Sequence, residues 1–277
     1  MSQHTGWEKE YRTHFNDIVD EYEKIRPEWI SEIYDDIFKY AKPKQGDNAL
    51  EIGVGTGKAT TPILNMGYNV TAVEINPKMA DYSLKRFNHC NNFTVVVSSF
   101  EDALLNDNSF DLIYAASAFH WVDAETGLPK SLRLLKQGGT IALFRYNEIA
   151  SPEYELYNKV REAYHRYYDE FYNIPYRQSV RKNHNDFLTT EEIYKGYRFN
   201  NLQRYGFENV SMKFYDVSLE YDSNEYISFL NTLSDHRNLP DSVKLPFYKE
   251  IKQVIDDNDG KYRIDYVFQL YLGRKPI

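Results

Sequence analysis

Apolar and polar positions along this 277-residue chain fall into short alternating blocks. An apolar run beginning at Ala49 stops at Gly53, Gly55 and Gly57 and restarts as a helix that runs to about Asn65, the pattern of a buried strand feeding a tight turn and then a helix N-terminus. Further strands are predicted over 69–75, over 93–99, within 106–120 and up to Tyr146, with helices over 77–88 and 123–135 between them. Val95, Val96 and Val97 mark the 93–99 strand as one buried on both faces. Strand-helix alternation implies right-handed crossovers and a parallel sheet, with any ligand at the carboxyl ends of the strands. Residues 13–41 read as two helices divided at Arg26-Pro27, because proline disfavours helix at the residue before it and suits the first turn of a new one. Residues 151–205 read as helical, with Asn-Ile-Pro-Tyr at 173–176 a proline turn between helices. Near-alternating apolar residues over 206–221 and 260–272 predict two more strands, antiparallel, closing the sheet.

The three glycines identify the stretch with most to say about chemistry. Lacking a Cβ, they let the backbone turn sharply and lie against a bulky ligand while the first free N–H groups of the helix point at it. Neither common phosphate motif fits. The dinucleotide fingerprint needs a small residue at Lys58, and the P-loop needs Gly at Ile52 and Ser or Thr at Ala59. Glu74 lies about 20 residues further on, at the end of the second strand, where a carboxylate can take both hydroxyls of a ribose.

Composition narrows the partners. Lys plus Arg number 33 against 41 Asp plus Glu, a net charge of −8, which argues against a surface that grips nucleic-acid phosphates and favours a small-molecule partner. The single cysteine, Cys90, supports neither a disulfide framework nor a zinc cluster, and no apolar leader or membrane-length run is seen, so a cytoplasmic protein without membrane or metal partners is expected. No H-E-x-x-H, G-x-S-x-G or complete P-loop is present to carry metal-dependent hydrolysis, serine hydrolysis or phosphoryl transfer. Tyrosine (25) and phenylalanine (16) are abundant, and tyrosine, apolar with a polar tip, suits clefts and lids as well as half-buried surface.

The run Glu-Ile-Gly-Val-Gly-Thr-Gly at 51–57 resembles motif I of the class I S-adenosylmethionine-dependent methyltransferases, and the resemblance continues to Tyr146. It implies an α/β Rossmann-like, doubly wound sheet of seven mostly parallel strands with an antiparallel last strand, plus a helical cap. The expected organisation is one domain: an N-terminal helical flap at 1–44, a cofactor-binding core at 45–147, a cap at 148–205, and closing strands and helix at 206–277. By the same resemblance, Glu51, Gly53, Gly55 and Gly57 belong to the cofactor site, where the glycines hold the methionine portion, and Glu74 holds the ribose. Ser99, Phe100 and Glu101 occupy the adenine position, though many members carry an acid at the position aligned with Ser99, which leaves the Phe100 amide and ring and Glu101 as the contacts. Ala116 lies at the exit of the fourth strand.

Two segments point to the acceptor. Tyr-Glu-Lys-Ile-Arg-Pro at 22–27 is similar to a Tyr-x-x-x-Arg-Pro segment that lies over the cofactor in many small-molecule methyltransferases, so Tyr22 would pack near its methionine end and Arg26 would meet a carboxylate of cofactor or substrate, or else be a solvated charge at a helix end. Ala-Phe-His-Trp at 118–121 resembles a sequence facing the transfer site in one branch of the family, which gives His120 a catalytic role and Trp121 either a substrate contact or a place in the core. A Thr-x-Ser-x-His run gives Ser234 and His236 a substrate-side and catalytic role, or marks a polar helix end before Pro240. The implied activity is methyl transfer from S-adenosylmethionine to a small-molecule acceptor by a monomer or homodimer. A non-catalytic binder of the same cofactor and a nicotinamide-dependent oxidoreductase are the alternatives.

Overall fold

The computed structural model describes residues 19–188 and 202–277. In chain order these form α1 (Val19–Ile25), α2 (Ser31–Ala41), β1 (Asn48–Ile52), α3 (Thr60–Asn65), β2 (Asn69–Glu74), α4 (Pro77–Arg86), β3 (Phe93–Val97), β4 (Phe110–Ala116), α5 (Ala124–Leu134) and β5 (Leu135–Ile149). There follow α6 (Glu155–Tyr164), a π-helical turn (His165–Asp169), α7 (Glu170–Tyr172), α8 (His184–Leu188), β6 (Glu208–Asp222), α9 (Ser223–Asn231), α10 (Ser234–Arg237), α11 (Asp241–Asp256) and β7 (Lys261–Arg274). The start of the first expected helix, 13–18, and the cap residues 189–201 lie outside the described residues.

One seven-stranded sheet runs in the order β3-β2-β1-β4-β5-β7-β6, its first five strands parallel and its last strands antiparallel. This is the Rossmann-like order that the motif resemblance implied, and the parallel pairing of its first strands is what the alternation of strand and helix implied. Local chemistry places the element ends. Pro77 opens α4 in the first turn while the Asn76 side chain accepts the Lys78 and Met79 amides. Asp222 and Glu225 close a reciprocal capping box on α9. Helix α2 stops at Lys42 in a left-handed cap, its N–H donating to the Phe38 carbonyl.

Three expectations fail: Pro27 lies ahead of α2, which begins at Ser31, and not in its first turn; 177–183, read as helical, has no regular structure; and the third concerns β3. Strand β3 is not buried on both faces: it is an edge strand, with Val97 52% exposed and Val95 and Val96 half-buried. A valine run cannot distinguish an edge position from an inner one, because strand order is set by crossovers elsewhere in the chain.

The chain divides into two compact units. Of the described residues, the sheet unit comprises 27–146, 185–188, 202–215 and 268–277. Its core includes Leu50, Ile52, Ile113, Ile141 and Leu143 from the inner strands, with Phe119 and Leu128 packed on them. Of the described residues, the helical unit comprises 19–26, 147–184 and 216–267, and within it α11 packs on α6 and α9. Strands β5, β6 and β7 contribute residues to both. Among the described residues no helix is long and apolar enough to cross a membrane.

Candidate functional site

The loop after β1 uses its glycines for two different reasons. Gly53 (φ +71°) faces Ala118, whose Cβ would lie 2.6 Å from any Cβ added there. Gly57 (φ +85°) faces the Phe87 ring, 2.4 Å from a Cβ. Gly55 (φ +54°) is left-handed too, yet nothing stands within 4 Å of where its Cβ would be. Close packing therefore dictates the outer two glycines, and the middle one turns the backbone toward open space, the cradle a ligand needs.

Glu74, at the carboxyl end of β2 and 6% exposed, fixes that middle turn. One carboxylate oxygen accepts the Gly55 N–H at 2.8 Å and the other the Asn76 N–H at 2.9 Å. Burial pushes its carboxyl above the usual range, against the pull of the Asn76, Gly55 and Ile75 amides. The acid chosen from its spacing is thus brought beside the glycine turn.

Beneath the loop, Glu51 is fully enclosed. Its Oε2 accepts the Thr60 hydroxyl at 2.6 Å and the Tyr114 hydroxyl at 2.7 Å. Desolvation pushes its carboxyl up to about 7; the bonds from Thr60 and Tyr114 oppose the rise and the Glu74 charge adds to it. Sequence reading missed Tyr114, although β1 and β4 pair in parallel with Glu51 opposite Tyr114. Strand pairing was the signal that would have found it.

The other sheet-unit candidates sort unequally. Ser99 spends its side chain locally, donating to Asp102 Oδ2 at 2.6 Å and accepting the Asp102 N–H at 3.1 Å. The Phe100 ring is buried beside Phe119, with Lys130 Nζ 5.2 Å from its centroid, so the ring is core and its amide remains as the contact. Glu101 accepts the Asp123 N–H at 3.2 Å. At the end of β4, half-buried Ala116 leads into Ser117, a non-glycine residue held at φ +48° whose N–H donates to the Phe144 carbonyl. This strained residue turns the chain so that Ala118 meets Gly53, and His120 and Trp121 follow half-buried, ring centroids 5.3 Å apart. The structure therefore brings the glycine loop, Glu74 and the Ala-Phe-His-Trp turn together. Lys58, which breaks the dinucleotide fingerprint, forms an ion pair with Glu28.

Tyr22, Arg26, Ser234 and His236 belong to the helical unit. The Arg26 guanidinium lies over the Tyr22 and Phe229 rings, 5.1 and 5.4 Å from their centroids, and donates to the Thr232 carbonyl at 3.3 Å. Ser234 is buried at the start of α10. His236, 3% exposed, has both ring nitrogens engaged: Nδ1 with Asp235 Oδ1 at 3.1 Å and Nε2 with the Tyr164 hydroxyl at 3.0 Å. Tyr168 donates to the other Asp235 oxygen at 2.5 Å and stacks on the His236 ring. The result is a chain of groups, Asp235–His236–Tyr164, extended by the Tyr226 hydroxyl 3.3 Å beyond. Burial would raise the Asp235 carboxyl, but the His236 charge and the bonds from His236 and Tyr168 hold it down at about 2.

Sheet order and glycine loop define a protein of the methyltransferase fold. Comparison with known proteins agrees. Residues 50–143 match the methyltransferase domain family. Over 129 residues, 47% of the chain, the sequence is 33% identical to an uncharacterized methyltransferase of Mycobacterium tuberculosis, and the match covers 50% of that protein, so the chain spans about half the length of this curated relative. An uncharacterized methyltransferase of Schizosaccharomyces pombe is 26% identical over 250 residues, 88% of this chain and 87% of the relative. Among solved structures, phosphoethanolamine N-methyltransferase 2 of Haemonchus contortus in complex with S-adenosyl-L-methionine aligns with a TM-score of 0.52 and 17% identity, over 96% of this chain and 60% of that one. The [4+2]-cyclase SpnF aligns with a TM-score of 0.54 and 14% identity over 97% of each chain. At such identities the structural likeness is one of fold.

Proposed function

We propose that the protein is an S-adenosylmethionine-dependent methyltransferase acting on a small-molecule acceptor. The observation that carries the reading is the open left-handed turn at Gly55, tied to Glu74 and set against the strained turn that presents His120. When bound, S-adenosylmethionine supplies a methyl group made electrophilic by the positive sulfur that carries it. In this reading Gly53, Gly55 and Gly57 hold the methionine portion, Glu74 the ribose, and the Phe100 amide with Glu101 the adenine; Ser99 shapes the adenine turn, Glu51 braces the loop, and Ala116 lets the chain approach closely. Tyr22 and Arg26 serve the cofactor side, Trp121 and Ser234 the acceptor side.

The chain's own contribution is mainly orientation. Holding two reactants in line and away from water supplies ~7 to 11 kcal/mol of a barrier, whereas a general base supplies a factor of ~10² to 10⁴, some 3 to 5 kcal/mol. A base matters for an acceptor that arrives protonated. His120 would take such a proton directly, and Tyr164 would pass one to His236, whose imidazolium Asp235 stabilises.

Calorimetric titration with S-adenosylmethionine, S-adenosylhomocysteine and NAD tests the reading. Micromolar binding of an adenosyl compound with none of NAD is the expected result, followed by a 14 Da mass gain on an acceptor, the mass of one CH₂ added as methyl replaces hydrogen. Because the fold also serves a protein named as a cyclase, binding without a mass gain across an acceptor screen would favour a non-methylating role.

A further inference from the structure

Lys130, on α5, spends a half-buried ammonium on backbone. Its Nζ donates to the Glu101 carbonyl at 3.1 Å and to the Ala103 carbonyl at 2.6 Å, and it lies 5.2 Å from the centroid of the Phe100 ring. Burial pulls the ammonium below its usual range, helped by the Arg133 charge and opposed by those of Asp102 and Glu101. No sequence motif marks this residue, because the carbonyls it holds lie 29 and 27 positions earlier in the chain.

The segment it grips, 99–103, is the turn after β3 to which the adenine is assigned. The Ser99 side chain is used within that turn, donating to Asp102 Oδ2 and accepting the Asp102 N–H, which leaves backbone to read a base. The Ser99 carbonyl accepts the Ala103 N–H at 3.0 Å. That carbonyl shares its planar peptide group with the Phe100 N–H, so the bond from Ala103 also fixes where the Phe100 N–H points. Among the described residues the Phe100 N–H itself has no acceptor. Ala103 is held from its other side by Lys130, and the Glu101 side chain by the Asp123 N–H at 3.2 Å. Helix α5 therefore clamps the turn at two places, through Asp123 at its N-cap and through Lys130. The ammonium makes charge-assisted bonds, stronger than the neutral ones inside the turn.

We propose that Lys130 is the positioning residue of the base-binding turn: by holding the Glu101 and Ala103 carbonyls it fixes the turn that aims the Phe100 N–H, and this amide selects adenine. The proposal rests on the S-adenosylmethionine reading. An N–H donor suits adenine, whose N1 is an acceptor, and is turned away by hypoxanthine, whose N1 carries a proton. Lys130 touches no cofactor atom; it acts through the peptide groups it holds. A turn released from Lys130 aims its amide poorly, so the base contact weakens while the glycine loop and Glu74 keep theirs.

The test uses the full chain and two ligands that differ only in the base, S-adenosylhomocysteine and S-inosylhomocysteine, titrated calorimetrically into wild type, Lys130→Met and Lys130→Arg. Methionine keeps an apolar stem against the Phe100 ring and removes the donors; arginine restores a charged donor. Wild type is expected to prefer the adenosyl ligand by about tenfold or more. Lys130→Met should lose about fivefold or more in adenosyl affinity with inosyl affinity little changed, and Lys130→Arg should recover part of the preference. A merely structural role would lower both affinities together, so equal losses or an unchanged preference in Lys130→Met would overturn the proposal. Hydrogen exchange without ligand reads the clamp directly: the 100–103 amides should exchange faster in Lys130→Met, and unchanged rates would also overturn it. Should Lys130→Met not fold, Lys130→Gln, with one neutral donor, takes its place under the same criteria. Adenosyl binding without a base preference in wild type would sink this proposal alone. Binding of neither ligand by folded wild type would sink the cofactor reading and this proposal with it.

Discussion

Gly53 and Gly55 share a left-handed backbone but differ in what surrounds them, and substitution should separate fold from binding. Gly53→Ala drives a methyl into Ala118 and is expected to cost roughly 2 kcal/mol or more, seen as a lowered urea midpoint. Gly55→Ala meets no protein atom and should cost only the backbone preference, about 1–2 kcal/mol, while S-adenosylhomocysteine affinity falls at least tenfold. Intact affinity in Gly55→Ala would remove the cradle from the cofactor site. Glu51 makes a prediction of opposite sign. Its folded-state value of about 7 lies above the ordinary 4.5, so the stability it carries is whole below pH 4.5 and is lost as pH rises through 7, about 3 kcal/mol in all. A neutral Gln at this position still offers one oxygen to Thr60 and Tyr114. Glu51→Gln should therefore be more stable than wild type at pH 8 and flatten the stability profile between pH 5 and 8, by urea titration at each pH. At this scale the sequence was most legible where one residue type has one reason to be present: the glycines, and an acid at a strand end. It was least legible where meaning comes from a neighbour on another element, as for Tyr114 bonded to Glu51.

Elements were readable in number and kind because their periods differ, and less so in their surroundings. The alternation from β1 to β5 and the two late strands stood out in the pattern, yet the valines of β3 gave no sign that the strand lies at an edge. The π-helical turn was hidden too, since Tyr164 and Tyr168 look like ordinary i, i+4 neighbours until one extra residue per turn swings them onto His236. Helix α4 offers a clean test of how an element end supports the site. Its cap, Asn76, accepts two amides by its side chain and gives its own N–H to Glu74. Asn76→Ala removes the first and keeps the second, and should cost about 1 kcal/mol of stability while adenosyl affinity changes less than it does in Glu74→Ala. A larger affinity loss for Asn76→Ala would mean that the cap, not the acid, shapes the ligand contact.

At the scale of the whole molecule, β5, β6 and β7 each belong partly to the sheet unit and partly to the helical unit, so the two should unfold together. S-adenosylhomocysteine at about a hundred times its Kd should add ~2.7 kcal/mol and move a single calorimetric transition upward by several degrees. A melt with two steps, only one of them shifted, would show that the units unfold independently. The same strand order bears on how the protein is made. Strand β7 lies between β5 and β6 in the sheet, yet β6 is synthesised first. A nascent chain that has reached α11 holds two strand edges waiting for the segment still inside the ribosome. Translation through 261–274 thus closes the sheet, and a chain arrested just before Lys261 is expected to be a client for chaperones that shield unpaired strands.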